Sequence, residues 1–134
     1  MKFKHIEETL KEKYSFINMD NHIWNQLVNT ANEYGCGWHD LIIELIEKIE
    51  NIYKENNVDI SEFKIDQIRE KYGGLRFDAL SSIKEVYHII SKYEDKSDTI
   101  CDECGKIGSL CEKNGWLETL CEECACKNGY KKVE

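Results

Sequence analysis

This chain of 134 residues has no proline and only two arginines. Without proline, no ring-locked turn or fixed kink interrupts it, which suits a largely helical chain. Long apolar runs are missing as well. No stretch approaches the roughly 20 residues that a membrane span needs, so no membrane partner is expected. The start, MKFKHIEETLKEKY, is charged throughout and lacks the apolar stretch of a signal peptide. The expected location is cytoplasmic. Basic excess is absent too: the net charge is −8. Non-specific nucleic-acid binding depends on neutralising phosphates with Lys and Arg, and this composition disfavours it. The charge divides unevenly, with −5 over residues 1–60, 0 over 61–97 and −3 over 98–134.

Cysteine is what the chain does have, seven in all. The odd count argues against a disulfide framework and for a reducing setting. Cys101, Cys104, Cys121 and Cys124 form a C-x2-C-x16-C-x2-C frame. Two closely spaced thiolate pairs are the donor set of a tetrahedral Zn²⁺ site. With all four positions filled by protein, the site is expected to be closed, structural and to hold one Zn²⁺. Gly105 follows the first pair and allows the sharp turn of a knuckle, with backbone N–H groups aimed at the thiolates. Asn114-Gly115 lies between strand-like segments and signals a hairpin. The second pair, Cys121-Glu-Glu-Cys124, suits a first helical turn. Knuckle, hairpin and helix in that order predict a treble clef, with a two-knuckle zinc ribbon as the alternative.

Upstream, the apolar spacing reads mostly as helix. Phe3, Ile6, Leu10, Tyr14 and Ile17 suggest one helix, and Asp20 caps a second whose buried stripe runs to Ala31 and which Gly35-Cys36-Gly37 ends. Trp38 to about Asn56 is the clearest, with Leu41, Ile42, Leu45, Ile46, Ile49 and Ile52 on one face. Residues 60–72 fit a strand or a helix; a hairpin of 63–72 with 74–80 is preferred, because Leu75–Ala79 alternates and a strand needs a partner. Ser82 and Glu85 have capping-box spacing, ahead of a helix to about Ser97. The expected fold class is therefore α+β. Residues 1–97 form a helical body with a small β-hairpin near 63–80, and residues 98–134 form a treble-clef, zinc-ribbon-like four-cysteine module.

Both arginines, Arg69 and Arg76, flank the Gly73-Gly74 pair. With Lys64 and Lys71 they make the one place where basic side chains gather. They form a candidate partner-binding face for an acidic surface or a phosphate. The competing reading is internal pairing with Glu62, Asp66, Glu70 and Asp78, the commoner fate of a charge run.

Enzyme readings fail on missing residues, and no catalytic site is expected. His5-Ile-Glu7 with a Cys-x-x-Cys has part of the zinc-deaminase pattern, but lacks the proline before the pair, and two complete pairs would close the metal site. A treble-clef nuclease needs histidines after the knuckle, and the last histidine is His88. Cys36-x-x-His39 with Cys111 or Cys126 has weak second-metal spacing, and Cys126 is an alternative to Cys124 as a ligand.

Gly37-Trp38, Lys71-Tyr-Gly-Gly-Leu-Arg-Phe77, Ser97, Cys101-x-x-Cys-Gly105 and Gly115-Trp116-x-x-Thr-Leu-Cys121-x-x-Cys124 follow one another in order. In this the chain resembles small phage- and prophage-type proteins with a helical body and a C-terminal four-cysteine module. The resemblance covers roughly residues 36–125 and leaves the N-terminal 35 outside. It implies a viral or mobile-element context, host cytoplasm as the location and a host protein as partner, not a mechanism. The expectation is a non-enzymatic interaction module, an inhibitor of a host defence protein (anti-CRISPR or other anti-defence). The alternative is a nucleic-acid-binding accessory protein that uses the basic hairpin face.

Overall fold

The computed structural model describes residues 37–133. The two helices expected before residue 36, and Cys36 itself, lie outside the described residues.

Helix α1, His39–Glu55, forms where the periodicity is strongest. Leu41, Ile42, Leu45, Ile46, Ile49 and Ile52 are all buried, and Tyr53 extends the same stripe. Asn56 ends the helix as its C-cap and turns its side-chain amide back to the Ile52 carbonyl at 2.8 Å. A single 3-10 turn, Ile60–Glu62, leads into strand β1, Lys64–Lys71, which pairs antiparallel with β2, Gly74–Leu80.

The register explains why residues 60–72 looked both helical and extended. A bulge between Ile65 and Gln67 inserts Asp66 as an unpaired residue. Ile65 and Ile68, three apart as on a helix, therefore both face the core and are buried. The turn is centred on Tyr72-Gly73, both at positive φ (53° and 83°), and not on the two glycines. That is the backbone of a tight type I′ loop, whose twist matches the strands. Gly74 is the first residue of β2 instead, and a Cβ there would come to 3.0 Å from Asp98 Oδ1.

Helix α2, Lys84–Ser97, starts one residue later than the capping-box spacing implies. Ile83 is its N-cap and no side chain caps it. Ser82 donates its backbone N–H to Glu62 Oε1 at 2.9 Å, so it is held to the 3-10 turn and not to the helix. Val86, Ile90 and Tyr93 pack into the core with α1, Phe63, Leu75 and Phe77. The far end of α2 also serves β2. Ser97 Oγ accepts from Leu75 N at 2.9 Å, and Glu94 Oε2 accepts from Phe77 N at 2.8 Å. These bonds satisfy outward-facing donors of β2 that would otherwise be buried unpaired.

The C-terminal part has the element order that its spacing predicts. A turn carries the first cysteine pair, β3 (Ser109–Lys113) and β4 (Trp116–Leu120) form a hairpin, and α3 (Glu122–Asn128) opens at the second pair. Asn114 and Gly115 make the turn, at φ 52° and 86°. A two-residue strand β5, Lys131–Lys132, adds to the outer edge of β3, so the sheet order is β4-β3-β5. It has no signal in the sequence.

Three contacts fasten this part to the helical body. Gly37 N donates to the Asp102 carbonyl at 2.8 Å, and Trp38 Nε1 donates to the Ile100 carbonyl at 2.9 Å. Thr119 Oγ1 on β4 donates to the Gly73 carbonyl at 2.7 Å, in a buried position.

Candidate metal centre

The first cysteine pair is shaped by backbone bonds. Cys101 N donates to the Lys106 carbonyl at 2.7 Å, and Gly105 N donates to the Cys101 carbonyl at 2.9 Å, which folds the four residues back on themselves. Gly105 has φ +83°, as the knuckle requires. The second pair sits on a helix start. Cys121 is the N-cap of α3, and its sulfur accepts from Cys124 N at 3.4 Å, in place of the usual hydroxyl or carboxylate cap.

These two local structures bring the sulfurs of Cys101, Cys104, Cys121 and Cys124 within 4.8 Å of one another. Cys104 Sγ and Cys121 Sγ are 3.6 Å apart. Four sulfurs at about 2.3 Å from a tetrahedral zinc stand about 3.8 Å from each other, so the observed spacing fits that ion. Among the described residues this is the one such ligand group. Cys124 belongs to it and Cys126 does not; Cys126 is exposed on α3. Cys111 is buried beneath the hairpin, with its Sγ donating to the Ser109 carbonyl at 3.3 Å, and stands apart from the cluster.

The electrostatics of the cluster ask for a cation. The N–H of Cys124 lowers the Cys121 thiol to about 7. Burial, followed by the neighbouring sulfurs, raises Cys124, and burial likewise raises Cys104. Thiolates within 4.8 Å of one another repel, a positive ion among them offsets that repulsion, and binding one displaces protons. The donor set, four sulfurs and no oxygen, suits zinc over magnesium or calcium. A zinc ion here would be held by all four cysteines.

Beside the cluster lies a residue that the sequence reading passed over. Asp102 follows the first ligand directly, is 1% exposed, and has no hydrogen-bond partner on either carboxyl oxygen. Burial pushes its carboxyl up to about 9, with repulsion from Glu118 and Cys101 adding to the effect. Burial also raises Glu118, and Tyr130 is pushed up to about 12 by burial and by its hydrogen bond to Glu118. Burial of Asp102 and the nearby Glu118 carboxyl both favour the protonated form of Asp102.

A pH prediction follows from the sign of that shift. The unfolded carboxyl titrates near pH 4, so the folded state keeps a proton that the unfolded chain has released. The contribution of Asp102 to stability is fully present below about pH 4 and is lost as pH rises toward about 9. Asp102→Asn removes the titration with a side chain of the same shape. The variant should gain on the parent protein by on the order of 1 kcal/mol per pH unit between about pH 5 and about pH 8. Urea unfolding of both metal-loaded proteins across that range measures the difference. A gap that stays constant with pH would show that Asp102 is already ionised in the fold.

The second set of candidate residues lies on the body hairpin. By register Arg69 stands directly opposite Arg76, Lys71 opposite Gly74, and Lys64 opposite Leu80. Their neighbours Ile65, Ile68, Leu75 and Phe77 point into the core. All four basic residues therefore share the outer face of the hairpin. Of the proposed internal partners, Asp78 lies 3.7 Å from Arg69 Nη2, with both side chains near 44% exposed. Glu62 accepts from Tyr53 OH and from Ser82 N, and Glu70 accepts from Gly73 N at 2.7 Å.

No described helix is long and apolar enough to cross a membrane. No family model matches the chain, and no solved structure matches it. A stretch of 66 residues, 49% of the chain, is 31% identical to UvrABC system protein C of Bacteroides thetaiotaomicron. The stretch spans 11% of that protein, so the chain corresponds to about a tenth of this curated relative.

Proposed function

We propose that the chain is a non-catalytic interaction module, in which a treble-clef zinc site holds a basic hairpin in place for a protein partner. The observation that carries this is the cysteine cluster. Four protein sulfurs within 4.8 Å would fill every position of a tetrahedral ion and leave none for a substrate or an activated water. The metal would then act on the fold alone. The hydrogen bond from Thr119 to Gly73 supports the second half of the reading, since it ties the zinc module to the turn of the hairpin.

The likeness to UvrABC system protein C agrees with a module role. That protein is named as one member of a multi-component system, and the shared stretch is a small part of it. The phage-type resemblance and the net charge of −8 support the narrower reading, an inhibitor of a host defence protein. An acidic surface of this kind can occupy a groove built for nucleic acid.

Elemental analysis and a salt series test the proposal together. Purified protein should carry about one zinc per chain. Duplex and single-stranded DNA should show no binding between about 50 mM and about 200 mM salt. Binding with a clear negative salt slope, lost in the Arg69→Ala/Arg76→Ala double variant, would replace the protein-partner reading with the nucleic-acid one.

A further inference from the structure

We infer that Arg69 and Arg76 form a paired guanidinium site for the carboxylates of an acidic segment on a protein partner. This rests on the interaction-module reading above and names the chemistry of the partner.

The first observation is the pairing itself. The only two arginines of the chain stand directly opposite each other on adjacent strands. Like charges in that position repel across about 5 Å, and a hairpin gains nothing from them internally. The second observation is that their bonds are only partly filled. Arg69 Nε is buried and has no hydrogen-bond partner. Leaving such a donor unpaired is unfavourable. Arg76 Nη1 turns back to the carbonyl of its own neighbour Leu75 at 3.0 Å. Asp98 Oδ1 approaches the same point over Gly74 as Arg76 Nη1 without forming an ion pair. The single carboxylate partner, Asp78, serves Arg69 from a half-exposed position, where an ion pair contributes little.

The surroundings of the pair resemble an interface core. Tyr72 at the hairpin tip is 73% exposed, with Lys71 Nζ 5.6 Å from its ring centre. Leu80 is exposed at the other end, opposite Lys64. Arginine and tyrosine side by side are the side chains that most often carry binding energy at protein interfaces. Two planar forks, each able to hold a carboxylate through two N–H bonds, suit a short acidic segment.

A nucleic acid fits this face less well. Its affinity comes from many phosphates spread along a strand. Beyond the four basic residues, such a strand would meet a chain whose net charge is −8. A short acidic peptide stops where the basic face stops.

The two-arginine composition makes the test direct. A nitrogen-15 correlation spectrum of the zinc-loaded chain contains two arginine Nε–H signals, and each is assigned by single substitution to lysine. Addition of a glutamate decamer should shift both signals saturably. In the Arg69→Lys/Arg76→Lys variant, affinity read on the backbone amides of residues 67–78 should fall about tenfold, although the charge is unchanged. The same spectrum reports whether the fold and the zinc module are intact, so failure of this site is distinct from failure of the module reading. No shift of the Nε–H signals overturns the proposal. Equal binding by the lysine variant also overturns it, because that is general attraction without a fork. An equal response to inorganic phosphate would do the same. A response to a thymidine decamer in place of the glutamate peptide overturns it in favour of nucleic acid.

Discussion

Substituting serine for Cys101 should abolish stoichiometric zinc and unfold the C-terminal module. Cys101 has no exposure, and its sulfur is one of the four in the cluster. The module has little else to hold it. Its buried core consists of Cys101, Cys111, Leu120, Cys121 and Ala125, three of them cysteines. A core of that size does not offset the conformational entropy of about 35 residues. A structural zinc site contributes about 10–16 kcal/mol of apparent binding free energy at neutral pH, so it decides whether such a module folds. Chelation of the parent protein should have the same effect, with hydrogen exchange accelerating over residues 98–126 before α1 and α2. Cys126→Ser is the matched control. Cys126 is exposed and outside the cluster, so that variant should keep about one zinc per chain. Full zinc occupancy in Cys101→Ser would mean that the cluster is not the metal site.

Loss of the module should reach the hairpin. The Gly73 carbonyl would lose its buried donor, Thr119 Oγ1. The ring of Trp38 would lose the Ile100 carbonyl. The large core of α1, α2 and the hairpin would remain, since Ile42, Leu45, Phe63, Phe77 and Tyr93 belong to one buried cluster, against whose margin the module packs Ile100.

The parts of this fold that were legible in sequence are those fixed by local patterns. The stripe from Leu41 to Ile52 repeats at helical spacing, and the helix lies within one residue of its expected bounds. The four cysteines name their own ligand set through spacing. Asn114-Gly115 makes the turn its type allows. What escaped was decided by contacts distant in sequence. The bulge at Asp66 puts Ile65 and Ile68 on one face, so a strand carried a helical spacing. Ser82 has the residue type of a cap, but Glu62, twenty positions earlier, takes its N–H. Asp102 read as one more solvated acid beside a cysteine; only its place between Gly37 and Thr119 buries it. Gly37, Trp38, Gly73, Ser97 and Thr119 are the positions that fasten strand, helix and module together.

Gly37→Ala should be the most damaging substitution that removes no metal ligand. An added Cβ would lie 2.0 Å from the Cys101 carbonyl oxygen, 2.7 Å from the Asp102 carbonyl carbon and 2.7 Å from Gly105 N. All three are backbone atoms of the knuckle, which the Gly105–Cys101 backbone bond holds in place, so no side chain can swing aside. Either the knuckle moves, which distorts the metal site, or Gly37 withdraws and breaks its 2.8 Å bond to the Asp102 carbonyl. Overpacking of this kind costs about 3 kcal/mol. Gly115→Ala gives the comparison. Gly115 has φ +86° and nothing within 4 Å of an added Cβ, so it carries backbone strain alone, about 1 kcal/mol. Urea midpoints should therefore rank Gly37→Ala well below Gly115→Ala. Competition with a chelator should show weakened zinc retention only in the first, because only there does the strain fall on the ligand loop. The reverse ranking would mean that Gly37 does not dock on the knuckle and that the helical body and the cysteine module fold without reference to each other.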